Sequence, residues 1–206
     1  MVRRSKGSII PSTLALAIIL SFVVYLLVLI FTSQNVEGIY PLQLLNYYQK
    51  GFWDLLAFAM QMMLILVLGN VLALTPIFQK LIRVILSKIN NGTIAILLTA
   101  IFSLLLSYFN WGLGLIFSAL LARSIAERAR QASMSLNYPL LVAAAYSGMM
   151  VWHGGLSGSA PLTVAESNHF LTGLMGVIPV SETIFSSMNI TLYAAFLVLI
   201  PSTFLL

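Results

Sequence analysis

Cysteine is absent from this 206-residue sequence, which excludes disulfide scaffolds, thiolate metal sites and thiol catalysis. Charge is almost as scarce. Asp, Glu, Lys and Arg together make up 7% of the chain, against about 25% in a soluble domain. Such a chain cannot cover a water-facing surface. A basic stripe interleaved with aromatics is also missing, so the formal charge of +5 does not indicate nucleic acid as a partner. The few Lys and Arg mark cytoplasmic loops instead.

What remains is apolar. Hydrophobic residues make up 60% of the sequence, and they come in blocks long enough to cross a hydrocarbon core of about 30 Å. The bilayer is therefore the first partner. The opening Met1-Val-Arg-Arg-Ser-Lys6 resembles the start of a signal peptide, but a signal core is only about 7–15 residues and ends in a small-residue cleavage site. Here the apolar run from Pro11 to Phe31 has 21 residues and ends in Thr32-Ser-Gln-Asn-Val-Glu37. A retained first helix is expected.

The second span runs from Phe52 to Leu74, after an external loop from Thr32 to Gly51. Thr75-Pro76 then reads as an N-cap followed by a first-turn proline. From Pro76 to Ile89, polar Gln79, Lys80, Arg83, Ser87 and Asn90 share one helical face, and Ile77, Phe78, Leu81, Ile82 and Ile85 fill the other. This predicts an interfacial helix along the cytoplasmic surface; a helical extension of the second span is the alternative.

The block from Thr93 to Ala122 has 30 residues and no formal charge. A straight helix of that length would run about 45 Å, well beyond the core. Asn110, Gly112 and Gly114 in its middle are turn chemistry. Lys80, Arg83 and Lys88 precede the block, and Arg123, Arg128 and Arg130 follow it. With cations on both flanks, both ends belong on the cytoplasmic side, so the block is expected to enter and leave as a re-entrant hairpin.

The fourth segment starts at Tyr138-Pro139 and stays apolar to Trp152, then breaks into His153-Gly-Gly-Leu-Ser-Gly-Ser-Ala-Pro161. That composition is poor helix. A last helix is expected from Ile184 to the C-terminus. The fold class is thus all-α integral membrane, with four spanning helices, one re-entrant hairpin and a broken helix. Two parts are expected. Residues 1–92 are scaffold-like and include the interfacial helix. Residues 93–206 are transport-like, with the hairpin at 93–122, the broken helix at 138–166 and the last helix at 184–206. This topology puts the N-terminus with Arg3, Arg4 and Lys6 in the cytoplasm, and nine of the ten Lys and Arg inside.

Irregular backbone at membrane depth is tolerated only where it is buried or lines a wet cavity. The tip from Asn110 to Gly114 and the break from Gly154 to Pro161 are two such places. Half-helix N-termini suit a carboxylate, and unwound carbonyls suit Na⁺; secondary transporters use this design, often as inverted repeats. The candidate substrate or ion contacts are Asn110, Gly112, Gly114, Gly155, Ser157, Gly158 and Ser159. A Na⁺ would sit near Asn110 and Ser157. Each has a plain structural alternative: Asn110 as a turn cap, the serines as partners for freed backbone groups. His153 reads as a hydrogen-bonded structural residue. The sequons Asn91-Gly-Thr93 and Asn189-Ile-Thr191 are discounted, the first as cytoplasmic and the second as helical.

Four stretches carry a family resemblance: Gly51-Phe-Trp-Asp-Leu-Leu-Ala-Phe-Ala-Met-Gln61, Asn110-Trp-Gly-Leu-Gly-Leu115, Tyr138-Pro-Leu-Leu141 and Gly154-Gly-Leu-Ser-Gly-Ser-Ala-Pro-Leu162. In that order they resemble the AtoE-type short-chain fatty acid transporter family. The resemblance implies a secondary transporter for short-chain monocarboxylates such as acetoacetate or butyrate, in the bacterial inner (plasma) membrane. It implies no enzymatic activity and no cofactor, with Na⁺ or H⁺ as coupling ion. It also implies kinship with a larger ion-transporter superfamily built as two inverted halves. The chain resembles only the first half, so a fragment, a separate second half or a homo-oligomer is expected. Two rival classes stand beside it: a structural membrane subunit, and a rhomboid-like intramembrane serine protease. The protease reading rests on Gly155-Leu-Ser157-Gly158 with His169 as the later histidine.

Overall fold

The computed structural model describes residues 12–32 and 39–205. The N-terminal cations Arg3, Arg4 and Lys6, and the start of the external loop, lie outside them. Among the described residues there are helices and turns and no strand. The chain divides into two compact units between Met60 and Gln61.

The first unit holds α1 (Thr13–Phe31) and α2 (Tyr40–Asp54). Ser12 caps α1, its hydroxyl accepting from the Ala15 N–H at 3.3 Å. No residue of α1 is buried within the protein, and apolar side chains surround it on all sides, as lipid contact requires. The α2 helix corrects the sequence expectation, which placed an external loop as far as Gly51. Pro41 sits in its first turn. Leu42, Leu45, Tyr48 and Phe52 then recur on one face, and Asn46, Lys50 and Asp54 on another, a helical period. Tyr25 donates its hydroxyl to the Pro41 carbonyl at 3.2 Å, and the Thr32 and Tyr40 hydroxyls meet at 2.6 Å.

After Leu55 the helix resumes as α3 (Leu56–Ala73). Tyr40 to Ala73 is one helical stretch of 34 residues, and it is one of three described stretches long and apolar enough to cross a membrane; the others are Thr13–Phe31 and Gly92–Phe109.

The second unit carries the packed core. The α4 helix (Pro76–Lys88) buries Ile82 and Ile85. Next come α5 (Gly92–Phe109) and α6 (Trp111–Gln131), joined by Asn110 alone. The hairpin turn is thus one residue long. Gly112 and Gly114, expected in the turn, are helical. The core joins Ile85, Ala100, Phe117, Leu121, Ile125 and Leu141. Phe78 meets Phe117 edge-on at 5.9 Å, and the Arg128 guanidinium donates to the Leu86 carbonyl.

The expected fourth span is shorter than its apolar run. The α7 helix (Tyr138–Tyr146) ends eight residues before the Gly/Ser-rich stretch, and 3₁₀ turns follow at Ser147–Met150 and Trp152–Gly154. Single turns α8 (Ser159–Thr163) and α9 (Thr172–Met175) lead to α10 (Ser187–Thr203), which is apolar but 17 residues long. Among the described residues three apolar stretches thus reach spanning length, and α10 is a shorter apolar helix beside them.

Candidate functional site

The site is built where the hairpin tip meets the α7 break. Asn110 closes two helices at once. Its N–H donates to the Leu106 carbonyl at 2.8 Å, ending α5. Its Oδ1 accepts from the Leu113 N–H at 2.9 Å and starts α6. Its φ of −151° is extended backbone, so no glycine is needed at the reversal. In this conformation the Asn110 side-chain oxygen is a cap.

Gly112 and Gly114 serve close approach. A Cβ on Gly114 would lie 2.3 Å from Ser107 Oγ and 2.5 Å from the Ser107 nitrogen. A Cβ on Gly112 would lie 2.9 Å from the Ile65 carbonyl oxygen. The tip is thus pressed against backbone on two sides.

The break is positioned by side chains from other elements. Ser103 on α5 is 1% exposed. Its hydroxyl donates to the Ala145 carbonyl at 2.7 Å and accepts from the Gly148 N–H at 3.0 Å. Both backbone groups would otherwise continue α7. The Ser147 hydroxyl takes the Ala144 carbonyl at 2.8 Å, the acceptor that Gly148 gives up. Gly148 fits because a Cβ there would strike Ser103 and Ser107 within 2.6 Å. Further on, Asn189 of α10 donates its amide to the carbonyls of Gly154 and Ile184 at 2.8 and 2.7 Å. The nitrogen of that sequon is therefore occupied, as well as helical.

Tip and break are fastened to each other by two bonds. The Leu156 N–H donates to the Tyr108 carbonyl at 2.8 Å, and the Trp111 N–H donates to Ser157 Oγ at 3.0 Å. Asn110 and Ser157 are thus brought together, as the sequence predicted. Gly155 is buried with its Cα against Tyr108, where a Cβ would sit 2.4 Å from the Tyr108 oxygen. Gly158 is buried against the His153 carbonyl, and its N–H donates to the Gly155 carbonyl at 3.0 Å. Ser159 is the first residue of α8, whose N-cap is Gly158. His153 is exposed and rests on Trp152 at 4.0 Å; it is not the hydrogen-bonded residue expected.

Several polar groups here stay open. Ser107 Oγ and Trp111 Nε1 are buried with no partner among the described residues. Sequence reasoning missed Ser103 and Ser107, although Thr99, Ser103 and Ser107 recur every fourth residue in an apolar helix and all three are buried. That spacing was the available signal. No group of three His, Asp or Glu capable of holding a metal occurs among the described residues.

A protease would need a histidine free to activate Ser157. His169 is engaged in its own loop: Nδ1 accepts from the Leu171 N–H at 3.2 Å, and Nε2 pairs with the Gly176 carbonyl at 2.8 Å. Ser157 meanwhile accepts from Trp111.

The sequence profile of the family described as "Short chain fatty acid transporter" matches residues 1–206. A protein of Escherichia coli (strain K12) named "Putative short-chain fatty acid transporter" is 35% identical over 192 residues, covering 93% of this chain and 42% of that protein. One of the same name from Haemophilus influenzae is 34% identical over 199 residues, with the same coverage of each. The chain thus spans about two fifths of the length of the curated relatives it matches. No solved structure matches.

Proposed function

The chain belongs to the short-chain fatty acid transporter family, and on that premise we propose that it supplies one hairpin-and-break half of a secondary transporter. It is a membrane-embedded protein and not an enzyme. In this reading it carries short-chain monocarboxylates such as acetoacetate or butyrate across a bacterial inner membrane. Na⁺ or H⁺ is the coupling ion, and a second repeat half or another copy completes the site. The N-terminus is cytoplasmic, and α4 lies along that surface.

The observation that carries the reading is the fastened junction of tip and break. It concentrates irregular backbone and unpartnered polar groups in one place. Depth supports it too. The uncharged stretch of α6, from Trp111 to Ala122, is 12 residues, about 18 Å long. With Arg123 at the headgroups, Asn110 reaches near the middle of a core about 30 Å thick. A carboxylate there has no Lys or Arg to hold it, so it needs helix N-termini, amides and hydroxyls. Asn110, Gly112, Gly114, Gly155, Ser157, Gly158 and Ser159 form that surface, and a Na⁺ takes carbonyls near Asn110 and Ser157. Asn110 and Ser157 both accept hydrogen bonds through oxygen here, so the Asn110 side-chain amide and the Ser157 hydroxyl keep donors for a carboxylate.

The test is uptake of labelled butyrate or acetoacetate into proteoliposomes, with and without Na⁺ or proton gradients. The 206-residue chain alone should not transport; joined with the remaining length of its relatives, it should. In the joined protein, Asn110→Ala and Ser157→Ala should each weaken uptake about ten- to a hundredfold, the equivalent of a lost hydrogen bond to a charged group. Gradient-driven uptake by the chain alone would overturn the half-transporter reading. Labelling of single cysteines at Lys88 or Arg123 from outside intact cells would overturn the re-entrant hairpin.

A further inference from the structure

Two cavities that share a wall lie along the α6–α7 pair. One, of about 200 Å³, is lined by Leu115, Ala119 and Ala122 of α6 and by Tyr138, Val142 and Tyr146 of α7. The other, of about 550 Å³, also has Tyr138 in its lining and continues past Ala126 and Arg130 to Ser133 and Ser135 in the turn between the helices. Leu115, Ala119, Ala122, Ala126 and Arg130 follow one another at intervals of three or four, which makes one stripe along α6. The cavities therefore form one groove, apolar toward the hairpin tip and polar at the turn. Val142 is 44% exposed and Tyr146 62%, so the groove is open along its side.

The arginines at the polar end are not equivalent. Arg123 is paired with Glu127 at 2.9 Å, and Arg128 donates to the Leu86 carbonyl. Arg130 has neither an ion pair nor a hydrogen bond among the described residues. Depth gives the groove a direction. From Leu115 to Ala122 α6 rises about 11 Å, most of one leaflet of a core about 30 Å thick. Beyond Arg123 the helix is among the headgroups, where the long stem of Arg130 lets its guanidinium settle at phosphate depth. Tyr138, between the two cavities, is a residue type that favours this interface.

An apolar trough open to its side, with one unpaired guanidinium at its polar end, is complementary to an amphiphile with one anionic head. A covering helix would match the apolar floor, but it would leave Arg130 without a counter-charge unless it carried an acid at that depth. A phospholipid with net negative charge supplies both parts in one molecule.

We propose that the α6–α7 groove binds an anionic phospholipid, with an acyl chain along Leu115, Ala119 and Ala122 and its phosphate on Arg130. Guanidinium matches paired phosphate oxygens, and basic pockets between membrane helices take such headgroups. The site uses none of the residues proposed for the substrate, and it stands whether or not the chain transports.

The sequence has no native cysteine, so Val142→Cys carrying a bimane reports on the groove alone. The 206-residue chain is reconstituted into phosphatidylcholine vesicles with a minority of phosphatidylglycerol. Composition stays fixed, and bromines are placed on the acyl chains of one lipid or the other. Brominated phosphatidylglycerol should quench Val142→Cys several-fold more than its share of the lipid. At Ile18→Cys on α1 it should quench in proportion to its share. Arg130→Gln should remove the excess, and Arg130→Lys should keep most of it. Arg83→Gln, which removes one exposed cation from α4, should leave it unchanged.

Quenching at Val142→Cys in simple proportion to composition overturns the lipid site. So does weak quenching by both lipids, which would mean that a second copy or another protein covers the groove. Loss of the excess on adding soluble glycerol phosphate would make this a site for free anions and overturn the lipid as occupant. An excess that survives Arg130→Gln, or falls equally with Arg83→Gln, overturns the placement of the phosphate.

Discussion

Helices α1 and α5 are both apolar and close to equal in length, at 19 and 18 residues, yet they solve different problems. α1 buries nothing inside the protein. Its surroundings are lipid, and lipid asks only for apolar side chains and satisfied backbone. α5 buries seven residues, among them Thr99, Ser103 and Ser107. Its neighbour is an unwound backbone, which presents free N–H and C=O groups and needs small, polar side chains at close range. Composition alone makes the first kind of helix. The second kind depends on which residue faces which.

This difference is sharpest at glycine. Gly114→Ala places a methyl against the Ser107 backbone, where only movement of α5 or α6 makes room. It should cost about 3 kcal/mol or more, at the upper end of overpacking effects. Gly51→Ala in α2 meets nothing within 4 Å and should stabilise by up to about 1 kcal/mol through chain entropy. Thermal unfolding of both variants in one detergent compares the two regions directly. Equal, small effects would erase the distinction.

Ser103→Ala comes next. It leaves the Ala145 carbonyl and the Gly148 N–H without partners in a buried place, at a cost of about 1–3 kcal/mol. Hydrogen exchange should show it first at the Gly148 amide, accelerated about ten- to a hundredfold, since each 1.4 kcal/mol is tenfold. Ser103→Thr should restore part of the protection. Unchanged exchange at Gly148 would mean that the break holds its shape without the hydroxyl.

Asn110→Ala removes the cap of α6 and should cost about 1 kcal/mol in stability, read from the same unfolding measurement. The smallest effect belongs to α1. Ile18 is 62% exposed within the protein, and Ile18→Ala should stay within about 0.5 kcal/mol in detergent. A larger loss would show that α1 packs against a partner rather than lipid.

The same contrast decides what was legible. α1, the hairpin around Asn110 and the helix after Ser186 follow from apolar length and caps, which are local signals. The nearness of Asn110 and Ser157 was legible as well, because two irregular stretches in a bilayer have one shared way to avoid lipid. The α2 helix was missed by reading its polar residues as a loop, although Pro41 and the spacing of Leu42, Leu45, Tyr48 and Phe52 mark a helix. The end of α7 at Tyr146 was not legible locally. Ser147-Gly-Met-Met150 continues the apolar run, and it leaves the α-helix because a hydroxyl 45 positions earlier takes the Gly148 N–H. Gly112 and Gly114 read as turn residues for the same reason: the Ile65 and Ser107 backbones they accommodate belong to other helices.

The two bonds between tip and break run in opposite senses, one donated by Leu156 and the other by Trp111. A pair of this kind resists sliding as well as twisting, as two rivets do where one would act as a pivot. The hairpin end and the unwound segment therefore travel as one piece. Any displacement of the joined piece has to be absorbed at the far ends of the same elements. There the chain bends between α6 and α7, with Ser133 at a φ of +52°, and between α4 and α5 at Asn90 and Asn91. Both bends lie a full hairpin length from the junction of tip and break.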